Sequence, residues 1–216
     1  MADSLTSATV GARLLSQFAP AYLTLTSIIQ GVALSALVIR VEGNSDHFGP
    51  SNWLLAAATL LTFLLVWHEY LMQALAYVWM PTLLDSAIPF AFLVAELFMA
   101  HFVYGDQRAW LLVTGIGFSF GLAAYALRRS QTYRHEQENV GVVGAVTGFA
   151  RLRLAFSIAP AALFLLAWAL YDVLGLGQAP VAVAALATLV VVAVLLGTVP
   201  YWRRVLAYAR SQGNAA

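Results

Sequence analysis

Long apolar runs, separated by short segments of polar and turn residues, dominate this chain. A run of about 20 mostly apolar residues is long enough to cross a bilayer as a helix. The pattern therefore predicts an all-α, polytopic membrane helix bundle. Its six transmembrane helices are expected at residues 20–41, 53–79, 83–103, 109–127, 154–174 and 181–201.

The second and third spans need a break inside one continuous apolar stretch, from Trp53 to Val103. We place the break at Met80-Pro81, because proline disfavours helix at the residue before it. The alternative places the turn at residues 68–73 and lays residues 74–84 in the membrane interface.

Arginine residues lie mostly on one side of the predicted spans. Short cytoplasmic loops carry the excess of basic residues, so the count orients the chain in a cell inner (plasma) membrane with both termini in the cytoplasm. The domains are then a cytoplasmic or interfacial segment at 1–18, a single six-helix domain at 19–204 with a cytoplasmic loop at 128–153, and a cytoplasmic tail at 205–216. Aromatic residues near span ends predict interfacial belts: Trp53, Trp79, Trp110, Tyr201 and Trp202.

Composition supports a membrane protein and excludes several kinds of chemistry. The chain is 62% hydrophobic and 10% charged, whereas soluble domains are about 45–50% apolar and about 25% charged. It contains no cysteine and no lysine, which excludes disulfides, thiolate metal sites and Schiff-base lysines. The histidine spacings favour neither haem nor metal, so we predict no cofactor and no metal. The net charge of +1 gives no reason to expect nucleic acid.

Polar residues within the spans are the candidates for function, because ionisable groups are costly in lipid. The set comprises Glu96, Glu69, His68, Asp85, Gln73 and Thr62. Glu96 lies near mid-span, and Glu69 lies within about 6 Å of that depth on the preceding span, counting about 1.5 Å per residue. We predict a polar seam between spans two and three, where the two carboxyl groups share a proton or a cation. The alternative leaves His68 and Glu69 solvated among lipid headgroups.

Small residues at helical spacing predict close helix packing. They are Ser27, Gly31 and Ser35 in the first span, and Gly117 and Gly121 in the fourth. An alternative has Thr24, Ser27 and Gly31 lining a narrow path. Gln30 points away from this stripe and needs a partner of its own.

The arginines of the long loop predict a site for anionic lipid headgroups: Arg128, Arg129, Arg134, Arg151 and Arg153. The alternative is an ordinary basic loop that only orients the protein.

The first span, with the sequence SIIQGV at residues 27–32, resembles the bacterial relatives of the endosomal–lysosomal potassium channel. That family has six spans and a Phe-Ser-Asp-Gly element on its first helix. Here Gly31-Val32 and the six-span layout agree, while the phenylalanine and aspartate are absent. The resemblance implies a potassium-permeable oligomer, but it carries no pore residues over.

Three functions are compatible with these features. The first is a small oligomeric channel or transporter for an ion or proton, since six short spans rarely enclose a pore alone. The second is a non-transport accessory, assembly or sensor subunit, and the third is an intramembrane enzyme. The expected partners are the lipid bilayer, an ion or proton, and further copies of the chain.

Overall fold

Seven α-helices, and a few short 3-10 turns, make up the structured part of the chain. The computed structural model describes residues 7–79 and 82–213, with side chains described from 16 to 212 except at 131, 133, 134 and 150. The helices are α1 (Ser7–Glu42), α2 (Pro50–Ala76), α3 (Leu83–Phe102), α4 (Gln107–Arg134), α5 (Glu136–Val146), α6 (Ala150–Ala169) and α7 (Pro180–Gly213). All but α5 are long and apolar enough to cross a membrane. The prediction of a six-span, all-α bundle is confirmed.

The six long helices form a closed ring in the order α1, α2, α7, α6, α4, α3 and back to α1, each packing against the next. The contacts of α4 with α6 and of α2 with α7 are the most extensive. Sequence neighbours α2 and α3 touch only slightly, because α1 packs between them. The second and third spans are therefore not the closely packed neighbours that the predicted seam assumed.

The break between the second and third spans lies where the preferred interpretation placed it. Helix α2 ends at Ala76 and α3 begins at Leu83, whereas residues 68–73 are helical, so the alternative turn is wrong. Met80 and Pro81 themselves lie outside the described residues.

Asp85 caps the start of α3, directly after this break. Its Oδ2 atom accepts hydrogen bonds from the backbone N–H and the hydroxyl of Thr82, both at 2.7 Å. This is a capping box, which satisfies amide groups left free at a helix start. Asp85 is thus accounted for by the local structure of α3.

The polar segment 128–153, predicted as a loop, is largely helical. Helix α4 continues to Arg134, and α5 follows directly with its first turn acidic. Arginine, glutamine and glutamate are good helix formers, so polarity here marks the membrane boundary and does not end the helix. Helix α5 packs on α7, where a Cβ atom at Gly141 would lie 1.8 Å from the Tyr208 hydroxyl.

The small-residue stripe of α1 faces outward, contrary to the packing prediction. Ser27, Gly31 and Ser35 are exposed, and a Cβ atom at Gly31 would meet nothing within 4 Å. The inward face contains the apolar side chains of Ile29, Ala33 and Leu37, together with polar Thr26 and Gln30. In a bilayer both faces of a span are apolar, so hydrophobic pattern does not decide which one packs.

The predicted aromatic belts are also largely absent. Trp53 is half exposed, as a belt residue would be, but four of the five aromatics are buried. Trp110 is inside the core and donates a hydrogen bond from Nε1 to the hydroxyl of Thr59 at 2.9 Å. Trp79, Tyr201 and Trp202 form a cluster with the start of α1 and with α5. This cluster lies at the end of the bundle that we call the arginine end, where the first half of α1, the second half of α7, residues 77–79 and α5 meet.

Candidate functional site

An elongated cavity of about 120 Å³ lies inside the ring, bounded by α2, α3, α4, α6 and α7. Along α4 its wall runs from Thr114 to Arg128, which is about 21 Å at 1.5 Å per residue. The middle of the wall is apolar, and polar side chains lie towards both ends. Its apolar lining includes Leu65, Val66, Phe92, Ala95, Met99, Phe118, Phe156 and Val194.

Four of the six predicted polar candidates line this cavity: Glu96, Glu69, Gln73 and Thr62. The hydroxyl of Thr62 donates to its own helix, to the carbonyl of Ala58 at 2.8 Å. The other two candidates, His68 and Asp85, lie elsewhere. The His68 ring packs edge-on against Trp202 at 6.2 Å between centroids.

Glu96 lies deep in the bundle and is 1% exposed. Both of its carboxyl oxygens accept from Nε2 of Gln30 on α1, at 2.8 and 3.0 Å. Gln30 thereby has the partner that its position in the span required. Within the described part of the chain, no arginine or histidine forms an ion pair with Glu96.

Glu69 lies closer to the arginine end and is surrounded by donors. Its Oε1 atom accepts from the Trp202 indole at 2.9 Å. Its Oε2 atom accepts from Gln73 at 3.0 Å and forms a salt bridge with Arg153. The Glu69 side chain is 18% exposed and that of Arg153 is 10% exposed. Glu69 is therefore an ion-paired carboxylate inside the bundle, and the headgroup interpretation is wrong.

The two carboxyl groups thus use different partners, although they line the same cavity. The Tyr70 and Phe92 rings are in contact, at 5.9 Å between centroids, and place α2 and α3 in register. Glu96 lies one turn beyond Phe92, so its depth differs from that of Tyr70 by about 6 Å. This agrees with the predicted similarity in depth, which stays a prediction, and no hydrogen bond joins Glu69 and Glu96 in the described structure.

Two of the five loop arginines point into the bundle, which corrects the headgroup prediction for them. The Arg153 guanidinium lies over the rings of Tyr201 and Trp202, at 4.3 and 5.0 Å from their centroids. That of Arg128 lies over Tyr125 at 5.3 Å and over Tyr77 at 5.9 Å. Such stacking is favourable because the ring face is electron-rich.

The remaining three arginines leave the headgroup prediction open. Arg129 and Arg151 are exposed at the arginine end, and the Arg134 side chain lies outside the described residues.

A buried hydrogen bond between two tyrosine hydroxyls closes the arginine end. It joins Tyr77, just beyond α2, to Tyr201 on α7. Burial and the neighbouring Tyr201 raise the pKa of Tyr77 above its usual range, which keeps its hydroxyl protonated.

Asn139 is a buried residue of this end that sequence reasoning did not single out. Its amide accepts from the N–H of Val78 at 2.9 Å and donates to the C=O of Val78 at 2.7 Å. One side chain on α5 thus satisfies both backbone groups of a residue in the break after α2. A lone asparagine in a polar stretch gives no signal of this role.

The described residues contain no group of three or more histidine, cysteine, aspartate or glutamate side chains that could hold a metal ion. Comparison with known proteins gave no match to a family model, to a curated protein or to a solved structure. The resemblance to the potassium channel family therefore stays a prediction. What can be argued of function rests on the cavity and its side chains.

Proposed function

We propose that this protein is a proton-coupled transporter of the inner membrane, with the internal cavity as its path and Glu96 as the group that carries the proton. The observation that carries the proposal is the environment of Glu96. It lies in the cavity wall at mid-span, and its partner is the uncharged amide of Gln30. An ionised carboxyl group without a cation near mid-bilayer costs at least about 2.5–3.5 kcal/mol.

The amide of Gln30 suits a group that gains and loses a proton. A carboxylate only accepts hydrogen bonds, whereas a protonated carboxyl group also donates one. The Nε2 atom of Gln30 donates to the carboxylate, and its Oε1 atom accepts from the protonated form after a flip of the amide. Gln30 therefore serves both charge states without any other residue moving.

The arginine distribution supports an orientation with the arginine end, and so both termini, in the cytoplasm. The cavity lies within one copy of the chain, so the path needs no second copy to form. Further copies of the chain, the other predicted partner, would contact the outer surface of the bundle that faces lipid.

Proton flux into liposomes tests the proposal. Purified protein is reconstituted with a pH-sensitive dye inside, and a pH gradient is applied. We expect Glu96→Gln to abolish flux and to keep the fold, since the amide has the shape of the protonated acid. The matched control is Glu138→Gln, whose half-exposed carboxyl group lies on α5 outside the cavity. Flux that persists in Glu96→Gln, or wild-type flux no higher than in empty liposomes, would contradict the proposal.

The second candidate is a non-transport subunit, and the outward stripe of α1 favours it. Ser27, Gly31 and Ser35 leave space that another membrane helix could occupy closely. Crosslinking from a single cysteine placed at Gly31, in this cysteine-free chain, tests for such contact in native membranes.

A further inference from the structure

The arginine end of the cavity carries more positive than negative charge. Arg128 and Arg153 both line it, and the carboxylate facing them there is that of Glu69. Glu69 is already held by Arg153, Trp202 and Gln73. Because the carboxylate of Glu69 pairs with Arg153, Arg128 has no ion-paired carboxylate among the described residues.

Donors at this end also lack acceptors. The Nη1 atoms of Arg128 and Arg153 are both buried and have no hydrogen-bond partner among the described residues. Asp85 shares a smaller cavity of about 30 Å³ with Arg128, but its Oδ2 atom is engaged by Thr82, and it forms no ion pair with Arg128. Buried donors without acceptors are unfavourable, and more so when they are charged. An anionic oxygen placed between the two guanidinium groups would satisfy both.

The wall next to these arginines is apolar. On α4, the residues one and two turns before Arg128 are Ala124 and Gly121, and on α6 Phe156 follows Arg153 by one turn. A ligand whose anionic group meets the arginines must therefore place its remainder against apolar side chains. The hydroxyl of Ser157 and the ring of Tyr125 border the transition between the two regions.

The size of the cavity limits that remainder. A buried apolar cavity of about 150 Å³ holds one benzene molecule, and this cavity measures about 120 Å³. A single guanidinium group without an ion-paired carboxylate, that of Arg128, fits a monoanion better than a phosphate with two negative charges.

We propose that the arginine end of the cavity binds the carboxylate of a small organic acid with a compact apolar body, such as an aromatic monocarboxylate. The carboxylate contacts Arg128 and Arg153, and the body packs against Phe156 and the apolar wall of α4. As the cargo of the transporter, this acid rests on the proposed function, but its binding is measurable without transport.

Calorimetric titration of the purified protein in nanodiscs of uncharged lipid tests the binding. The probes are benzoate, acetate, chloride and dodecanoate. We expect benzoate to bind more tightly than acetate or chloride, because those anions lack an apolar body. Arg128→Gln should weaken benzoate binding by about tenfold or more, as loss of a charged hydrogen bond does. The matched control is Arg151→Gln, an exposed arginine at the same end, which should bind as the wild type does.

Arg128 is the residue to vary because Arg153 also holds Glu69, and its loss would disturb the fold. Thermal unfolding of Arg128→Gln, alone and with Asp85→Asn, shows whether Arg128 instead pairs with Asp85. Equal benzoate affinity in Arg128→Gln and the wild type would overturn the inference. So would acetate or chloride binding as tightly as benzoate. A protein that binds dodecanoate but not benzoate would have a site for a fatty-acid carboxylate, and this would overturn the inference of a compact ligand.

The outcomes separate this inference from the proposed function. Benzoate binding that depends on Arg128, in a protein without proton flux, supports the carboxylate site and contradicts the proposed transport function. Proton flux that depends on Glu96, in a protein that binds none of the acids, supports the proposed transport function and contradicts the carboxylate site.

Discussion

Glu69 and Glu96 line one cavity, yet their surroundings differ in the partners they offer. Glu69 has a guanidinium, an indole N–H and an amide within hydrogen-bonding reach, whereas Glu96 has one amide. A buried charge is tolerated when a paired charge and further donors surround it. The pairing therefore marks Glu69 as a fixed part of the arginine end, whereas Glu96 has no ion-pair partner among the described residues, which is why the proposed function assigns the proton to it.

The largest expected effect is a difference in the free energy of unfolding between the neutral variants of Glu69 and Glu96. Glu69→Gln leaves Arg153 buried without a counter-charge and should lower the free energy of unfolding by about 3–5 kcal/mol. Glu96→Gln should change it by less than about 1 kcal/mol, because the new amide can still pair with Gln30. Equilibrium unfolding in detergent, followed by tryptophan fluorescence, measures both.

A double variant checks the cause of that difference. Removing Arg153 together with Glu69, as Arg153→Gln in Glu69→Gln, should be less destabilising than the two single changes added together. Strict additivity would mean that the salt bridge does not account for the stability of this end.

A smaller effect is expected at Asn139, which ties α5 to residue 78. Asn139→Ala should lower stability by about 1 kcal/mol and speed hydrogen exchange of the Val78 amide. Proton flux through Glu96 should persist, because the change is confined to the arginine end. Hydrogen exchange followed by mass spectrometry provides the measurement, with Gln137→Ala, exposed on the same helix, as control. Unchanged exchange at Val78 would show that α5 is not held there by Asn139.

The smallest effect on the free energy of unfolding is expected at Gly31, the exposed neighbour of Gln30. Gly31→Leu should alter the free energy of unfolding by no more than about 0.5 kcal/mol, because its Cβ points into open space. Ala33→Leu, at a fully buried site two residues away, should cost about 1–3 kcal/mol by overpacking. Comparable melting temperatures for the two variants would contradict the observed rotation of α1.

The sequence predicted the features that depend on local pattern. Span length and the proline break are properties of contiguous residues, and they predict six helices and a break between α2 and α3. Thr62, Glu69, Gln73 and Glu96 could be singled out because a polar side chain in an apolar run stands out by itself.

Features that depend on helix order and rotation could not be predicted. Glu69 pairs with Arg153 and Trp202, which are 84 and 133 residues away, and no local period connects such positions. The stripe of Ser27, Gly31 and Ser35 was assigned to the wrong face because lipid and core are similarly apolar. Arg128 and Arg153 looked like surface residues because their inward direction depends on which helices surround them.

The closed ring has a consequence for the order in which the protein is made. Helix α7 follows the other described helices in the chain, and it packs more extensively against α2 than any other helix does. Until α7 inserts, the ring is open between α2 and α6, and Glu69 lacks the indole donor of Trp202. The wall of the cavity includes Val194 and Thr198 of α7, so the cavity is complete only after α7 has inserted.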